Sequence, residues 1–514
     1  MTSTLLLSHA PKRPDLYIGL VAAAGTDLIS VKAQLKAQLA VVGYVTEFIK
    51  VSELISSLTG LQRATDEYER IKSLQEAGDH CRSQSQNGEG VAATSIAEIR
   101  RLRSHHPEES SASVAYVIDS FKNPAEIELF ELAYSRNFYT VSTYLDRAHR
   151  LDSLQLLIAR SRQEPPEDEH LALAKELVDL DEKSFGKKAQ NVRDTFAKAD
   201  YFINGHENIS TQCERFVSLI FGKPFISPTA DEYGMFVARA AGLRSVDLSR
   251  QVGAAIFDNK MRVVATGCNE VPYPGGGFYN FPYSTIGDNR DHTHKVDPNF
   301  VEIQRSIIQL LKVMQRAGIV ESSADANQLA DALLVGEHKD LMSDARVRNL
   351  VEFGRVVHAE MHAICEAAAG GKATEGTTLY STAFPCHGCA RHIIAAGLEE
   401  VVYIEPYPKS MALQLYADEF APAGDATTPR ADRRLRLRPF HGIAPTLYQR
   451  VFNHRASKDD RGTIPEWQPL RAKPVGAVHS VERPDVELAA SNSVADIVEK
   501  FNLLKNTNGD KTDG

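Results

Sequence analysis

Residues 358–371 read HAEMHAICEAAAGG, and residues 377–390 read TTLYSTAFPCHGCA. The first stretch is a run of helix formers that stops at Gly370 and Gly371, and glycine is the commonest helix terminator. The second begins with the β-branched and aromatic residues of Thr377 to Ala383, then meets Pro385 at a new helical start. Helix 358–369, strand 377–383, helix 386–396 and strand 400–404 therefore follow in quick alternation. That pattern predicts an α/β layer. His358 and Glu360 open one helix, while Cys386 and Cys389 open the other 28 residues later. Both helix starts can then face the same end of one sheet.

Upstream, a helix is expected over 231–242. A strand follows over 252–257, with a hairpin partner from Met261 to Gly267. Residues 273–350 read as a long insertion, opening on Gly275 to Gly277 and carrying a helix near 299–316. This unit is expected to span 228–475. Residues 1–215 also alternate strands and helices. The apolar run Leu16–Ala22 leads through Gly25 to a helix from Leu28 to Val42, with Thr26 and Asp27 as natural caps. Further strands are expected at Val114–Asp119 and Tyr201–Asn204. The Ser-, Gly- and His-containing stretch Asp79–Ser113 reads as a loop, and 480–514 as a flexible tail.

The chain has 514 residues, enough for two to four domains at ordinary domain sizes. Its 43% hydrophobic and 24% charged residues lie in the globular range and argue against wholesale disorder. The formal net charge of −9 removes the simple electrostatic argument for nucleic-acid binding. No apolar stretch approaches the ~20 residues of a membrane span, and Met1 to Pro14 lacks the pattern of a signal peptide. A cytoplasmic protein without membrane partners is expected. Six cysteines are too few for a disulfide scaffold, so the Cys386/Cys389 pair asks for a metal or redox role.

His358, Cys386 and Cys389 supply one imidazole and two thiolates, which suits one zinc per chain with a fourth position open for water. Zinc lowers the pKa of such a water to about 7. Glu360, two residues from His358, is placed to carry protons as general acid and base. The order H-x-E…P-C-x-x-C is the signature of zinc nucleobase deaminases. His362 and His387 are expected to stay out of the ligand set. Cys268 and Cys365 are expected to be small buried apolar residues.

The region from about 230 to 410 resembles the deoxycytidylate deaminase family. The resemblance rests on Arg244-Ser245, residues 251–255, residues 266–272, His358 to Glu360, residues 380–390 and residues 402–407. It implies that Asn269 bonds the deoxyribose, that Val252, Gly253 and Ala254 line the base pocket, and that backbone at Thr382, Ala383 and Phe384 meets the cytosine edge. Arg250 and Arg290 are candidates for the phosphates. The insert holds His292, His294 and His338 but no cysteine, which argues against a second zinc there. Asp288 to His292 reads either as a lid or as a plain polar loop.

Joined to the first half, the chain resembles the bacterial anti-phage dCTP deaminases. That resemblance implies a P-loop-kinase-like N-terminal parallel-sheet domain and a C-terminal cytidine-deaminase-like α/β/α domain. It also implies antiviral drainage of dCTP and dCMP, with an inhibitory small RNA as partner; a homo-oligomer is expected as well. Gly19, Gly25, Thr26 and Asp27 occupy the place of a phosphate loop, but its lysine is missing and the glycine spacing is one residue long. Asp119 is a candidate for holding Mg²⁺ with a nucleotide, or simply a strand-end turn residue. Arg433 to Arg438 reads as a charged strand face, with RNA or phosphate contact as the alternative. A nucleic-acid editor using the same zinc chemistry remains the competing reading. It calls for a basic groove interleaved with aromatics, and no such stretch is evident.

Overall fold

The computed structural model describes residues 13–509, except 86, 106–112, 183–189, 250, 283–286, 322, 343–344, 351, 406–409, 422–432, 454–457, 459, 465 and 477–483. Among the described residues the strands are β1 (Leu16–Ala22), β2 (Tyr44–Lys50), β3 (Ser113–Phe121), β4 (Phe138–Tyr144), β5 (Tyr201–Asn204), β6 (Gly253–Phe257), β7 (Val263–Cys268), β8 (Thr378–Ala383), β9 (Glu400–Glu405), β10 (Arg436–Pro439) and β11 (Gly442–Ile443).

They form two sheets. The first has the order β11-β5-β4-β1-β3-β2, with β1 to β5 all parallel and β11 antiparallel at the edge. All seven residues of β1 are buried, as a central parallel strand covered on both faces requires. Helices Leu28–Val41 and Ile209–Ile220 cover one face, and helices Val51–Thr59, Gly90–His105 and Pro124–Tyr134 the other. Asp27 caps the first of these, accepting from the Ile29 and Ser30 amides at 3.0 Å. The second sheet has the order β10-β9-β8-β6-β7, parallel from β10 to β8 and antiparallel from β8 to β7.

Three expectations need correction. The stretch Asp79–Ser113 is mostly helical, in Glu67–Gln84 and Gly90–His105. Its small residues make a tight contact face, with Val91, Ala92, Ala93, Ser95 and Ile96 at 2% exposure or less. The partner of that face corrects the second expectation. The tail forms helix Pro484–Gly509, which buries Val486, Ala490 and Ile497 against it. The Glu487 carboxylate meets Arg103 at 3.0 Å. Third, the chain does not stay with the second sheet up to residue 475. β11 pairs with β5, helix Pro445–Phe452 enters the first core, and Trp467 and Ala472 pack there too.

The two sheets are joined through helix Ala230–Gly242, whose N-terminus is a capping box of Thr229 and Glu232. Glu232, with no solvent exposure, accepts from Arg215 at 2.6 Å and from the Ile443 amide of β11 at 3.0 Å. Next to it, Asp231 receives Arg438 of β10 at 2.6 Å and the Tyr380 hydroxyl of β8 at 3.1 Å. The helix lies directly on β6. A Cβ at Gly253 would stand 1.9 Å from the Ala238 carbonyl oxygen and 2.5 Å from the Gly242 nitrogen, both backbone atoms. Gly253→Ala is expected to cost about 3 kcal/mol by overpacking, read as a lowered midpoint of chemical unfolding. An unchanged midpoint would show that the helix has room to move.

Candidate active site

The first chemical side chain is set by an edge contact. Glu270, just after β7, exchanges backbone hydrogen bonds with Val357 at 3.1 and 2.9 Å, which fixes the chain one residue before His358. Helix Ala359–Ala369 then lies on β7 at Gly267, where a Cβ would come within 2.2 Å of the Ala359 carbonyl oxygen. His358 is the residue preceding that helix, and Glu360 sits in its first turn. From the other side, β8 delivers the chain to Cys386, which caps helix His387–Ala395 through a 3.4 Å contact from the Cys389 amide.

These elements bring the four side chains together. Nδ1 of His358 lies 3.3 Å from the Cys386 sulfur and 3.4 Å from the Cys389 sulfur. Oε2 of Glu360 lies 3.4 Å from the Cys389 sulfur, and the Glu360 residue is only 4% exposed. The three ligand atoms of His358, Cys386 and Cys389 are all within 4.8 Å of one another. One nitrogen and two sulfurs are a borderline-to-soft donor set that fits zinc and not a hard cation such as Mg²⁺. The Cys386 thiol is pulled down to about 4, first by the hydrogen bond with Cys389 and also by His358. The same contact with Cys386 pushes the imidazole of His358 up to about 8. Burial, then the nearby Cys386 charge, raises the Glu360 carboxyl above its usual value.

Residues 228–405 match the family described as the cytidine and deoxycytidylate deaminase zinc-binding region. Deoxycytidylate deaminase of Enterobacteria phage T2 is 37% identical over 78 residues, 15% of this chain and 38% of the phage protein. A probable deoxycytidylate deaminase of Drosophila melanogaster is 24% identical over 249 residues, 48% of this chain and 86% of the fly protein. The chain thus spans less than two-fifths of the phage relative it matches. Among solved structures, dCMP deaminase of cyanophage S-TIM5 aligns over 42% of this chain and 100% of its own, at 15% identity and a TM-score of 0.22.

Around the zinc-binding region, several expected substrate residues are engaged by the scaffold. Oδ1 of Asn269 accepts from the Val252 amide at 2.6 Å, so that oxygen holds the loop before β6. Gly253 and Ala254 are buried in packing, Gly253 under the helix described above and Ala254 in the core shared with Ala359 and Cys389. Val252 is half-buried beside them. The Thr382 hydroxyl accepts from the Gly253 amide at 3.1 Å, and Ala383 pairs with Glu405. The Phe384 amide donates to the Glu405 carbonyl at 2.7 Å, so it does not offer that hydrogen to a base.

Arg250 lies outside the described residues. Arg290 is 4% exposed, bound to Asp288 at 2.7 Å and to Glu270 at 3.3 Å, which makes it a loop anchor and not a free phosphate contact. The Asp288–His292 segment is held by the same pairs. Glu270, absent from the expected site, also accepts from the Val246 and Val271 amides, which ties the segment before β6 to the chain that follows β7. Its signal in the sequence is a carboxylate between Asn269 and Val271, just after the strand that ends at Cys268.

Nδ1 of His362 faces the Cys268 carbonyl at 2.9 Å, and its ring stacks on Phe278 at 4.3 Å. Neither His362 nor His387 joins the ligand group. Cys268 is buried, but Cys365 is exposed, contrary to expectation. Arg436 and Arg438 of β10 are ion-paired with Glu399, Glu400 and Asp231, the arrangement of a charged strand face.

In the first sheet, Gly19 lies within β1 and not in a loop. A Cβ there would come within 2.3 Å of the Phe121 ring. Gly25, at φ +88°, lines a cavity of about 280 Å³ with Lys32, Asp119 and Lys122. Thr26 stands in the turn beside it, its amide bonded to the Ala23 carbonyl at 3.2 Å, and Asp27 serves as the helix cap. Asp119 accepts from Lys32 at 2.7 Å and from the Val51 amide at 3.0 Å. It belongs to neither group of metal-capable side chains among the described residues, so the Mg²⁺-nucleotide expectation gains no support.

Proposed function

We propose that the chain catalyses zinc-dependent hydrolytic deamination of free deoxycytidine nucleotides, converting dCTP, dCMP or both to the uracil nucleotides with release of ammonia. The carrying observation is the meeting of His358, Cys386 and Cys389 beside the buried carboxyl of Glu360. Zinc bound by those three residues supplies Lewis acidity that makes water a competent nucleophile at neutral pH. His358 and the cysteines hold their donor atoms on two helix starts, so the site is positioned by the sheet and not by a mobile loop. Glu360 takes one proton from the water that attacks C4 and passes it to the ring nitrogen, then takes the proton of the new C4 hydroxyl and gives it to the departing amine. Water and a cytosine nucleotide thus become a uracil nucleotide and ammonia, with no other reactant.

The relatives named above support deoxycytidylate chemistry. The N-terminal domain built on the first sheet, with the resemblance of the sequence to anti-phage dCTP deaminases, supports an antiviral role, with nucleotide depletion in the cytoplasm and restraint by a small RNA. A homo-oligomer belongs to the same reading. Among the described residues, no helix is long and apolar enough to cross a membrane.

The test is parallel incubation of full-length, zinc-loaded protein with dC, dCMP, dCTP, CTP and single-stranded DNA, read by mass spectrometry. Conversion of dCMP or dCTP with the DNA unchanged is expected. Conversion of the DNA alone would replace this reading with an editing one.

A further inference from the structure

A second convergence of metal-binding groups lies at the carboxyl-terminal edge of the first sheet. Asp146 stands two residues after β4 and caps helix Arg147–Arg162. His149 is in the first turn of that helix, and His206 lies in the turn that follows β5. Three chain positions on two neighbouring loops thus reach one point. Oδ1 of Asp146 is taken by the Ala148 and His149 amides, at 3.0 and 3.2 Å. Oδ2 is turned the other way, 2.5 Å from Nδ1 of His149 and 2.7 Å from Nε2 of His206. The two imidazole rings meet edge to face at 4.7 Å. All three ligand atoms lie within 4.8 Å of one another.

We propose that Asp146, His149 and His206 form a second site for a borderline divalent cation of the zinc, cobalt or nickel class. Two imidazole nitrogens and one carboxylate oxygen disfavour Mg²⁺ and Ca²⁺, which prefer all-oxygen shells. Both imidazole rings crowd a single carboxylate oxygen. A cation takes the lone pairs of both rings and the carboxylate charge together. Ligand atoms around a tetrahedral zinc stand roughly 3.3 Å apart, so the shell must open slightly. The His149 side chain, 62% exposed, has the freedom to do so.

Three protein ligands leave a coordination position for water or an anionic group. The bound cation would also clamp the β4 loop to the β5 loop. Since β5 carries β11 at its outer edge, the clamp would sit where the chain returns from the second sheet.

The test is metal counting on the full chain by plasma mass spectrometry after chelator stripping and dialysis against zinc. Two zinc ions are expected in the unaltered protein. One is expected in His149→Ala/His206→Ala and one in Cys386→Ser/Cys389→Ser. His149→Gln/His206→Gln, which keeps polar side chains at both positions, should also lose one ion, with an unchanged circular-dichroism spectrum. Cobalt gives an independent readout. The histidine variants should keep the thiolate charge-transfer absorption, while the cysteine variants keep only weak visible bands. A single zinc in the unaltered protein that the histidine substitutions leave in place would overturn the proposal.

Discussion

Glu360→Gln is expected to retain its zinc and lose turnover of dCMP and dCTP by about 10²–10⁴-fold or more, the range of a positioned general acid–base group. Glutamine matches the size of glutamate and still fits a residue 4% exposed, so folding should be unaffected. What it cannot do is take a proton from water and deliver one to the departing amine. The carboxyl lies 3.4 Å from the Cys389 sulfur, beside the ligand cluster without joining it. Metal content and kcat measured on one preparation separate the two roles. Full zinc with kcat near that of the unaltered chain would remove Glu360 from the chemistry. Loss of zinc would make it a ligand.

Cys389→Ser should behave in the opposite order. Its sulfur is one of three ligand atoms, and the residue has no solvent exposure, in a core with Ala254, Ala359, Ala363 and Ile393. Serine replaces a thiolate by a hydroxyl that stays protonated at neutral pH and is a poor zinc ligand. Removing a supporting contact to a metal ligand typically costs 10–100-fold in affinity, so losing the ligand itself should weaken zinc binding by more than about 100-fold. Turnover should fall with metal content, and the thermal unfolding midpoint should drop because zinc no longer favours the folded chain. A dye-based zinc titration reads the first effect and calorimetry the last. Stoichiometric zinc held at its original affinity would show that the ligand set is misassigned.

The second-sheet elements and the four clustered side chains were readable because their signals are local. A glycine pair ends one helix, a proline opens the next, and the ligands fall at fixed offsets from those marks. The residues that failed are those whose role depends on distant partners. Gly90 to Ile99 looks like loop composition until helix Pro484–Gly509, almost four hundred residues later, covers its small side chains. The tail looked polar because Val486, Ala490 and Ile497 form a thin apolar stripe, enough to dock on a neighbour but weak as a sequence pattern. Arg290 has the chemistry of a phosphate ligand, yet Asp288 and Glu270 neutralise it, and only the folded loop brings Glu270 near. Gly19 resembled a phosphate-loop glycine, whereas its missing side chain makes room for the Phe121 ring.

The most direct test of the central claim is deamination in water enriched in oxygen-18. Zinc-loaded full-length protein would be given dCMP and dCTP, and product mass and ammonia would be followed together. A uracil nucleotide carrying one oxygen-18 atom for each ammonia released is expected, with both absent in Glu360→Gln. Unchanged cytosine nucleotides with zinc bound at His358, Cys386 and Cys389, or a product that takes no oxygen from water, would contradict it.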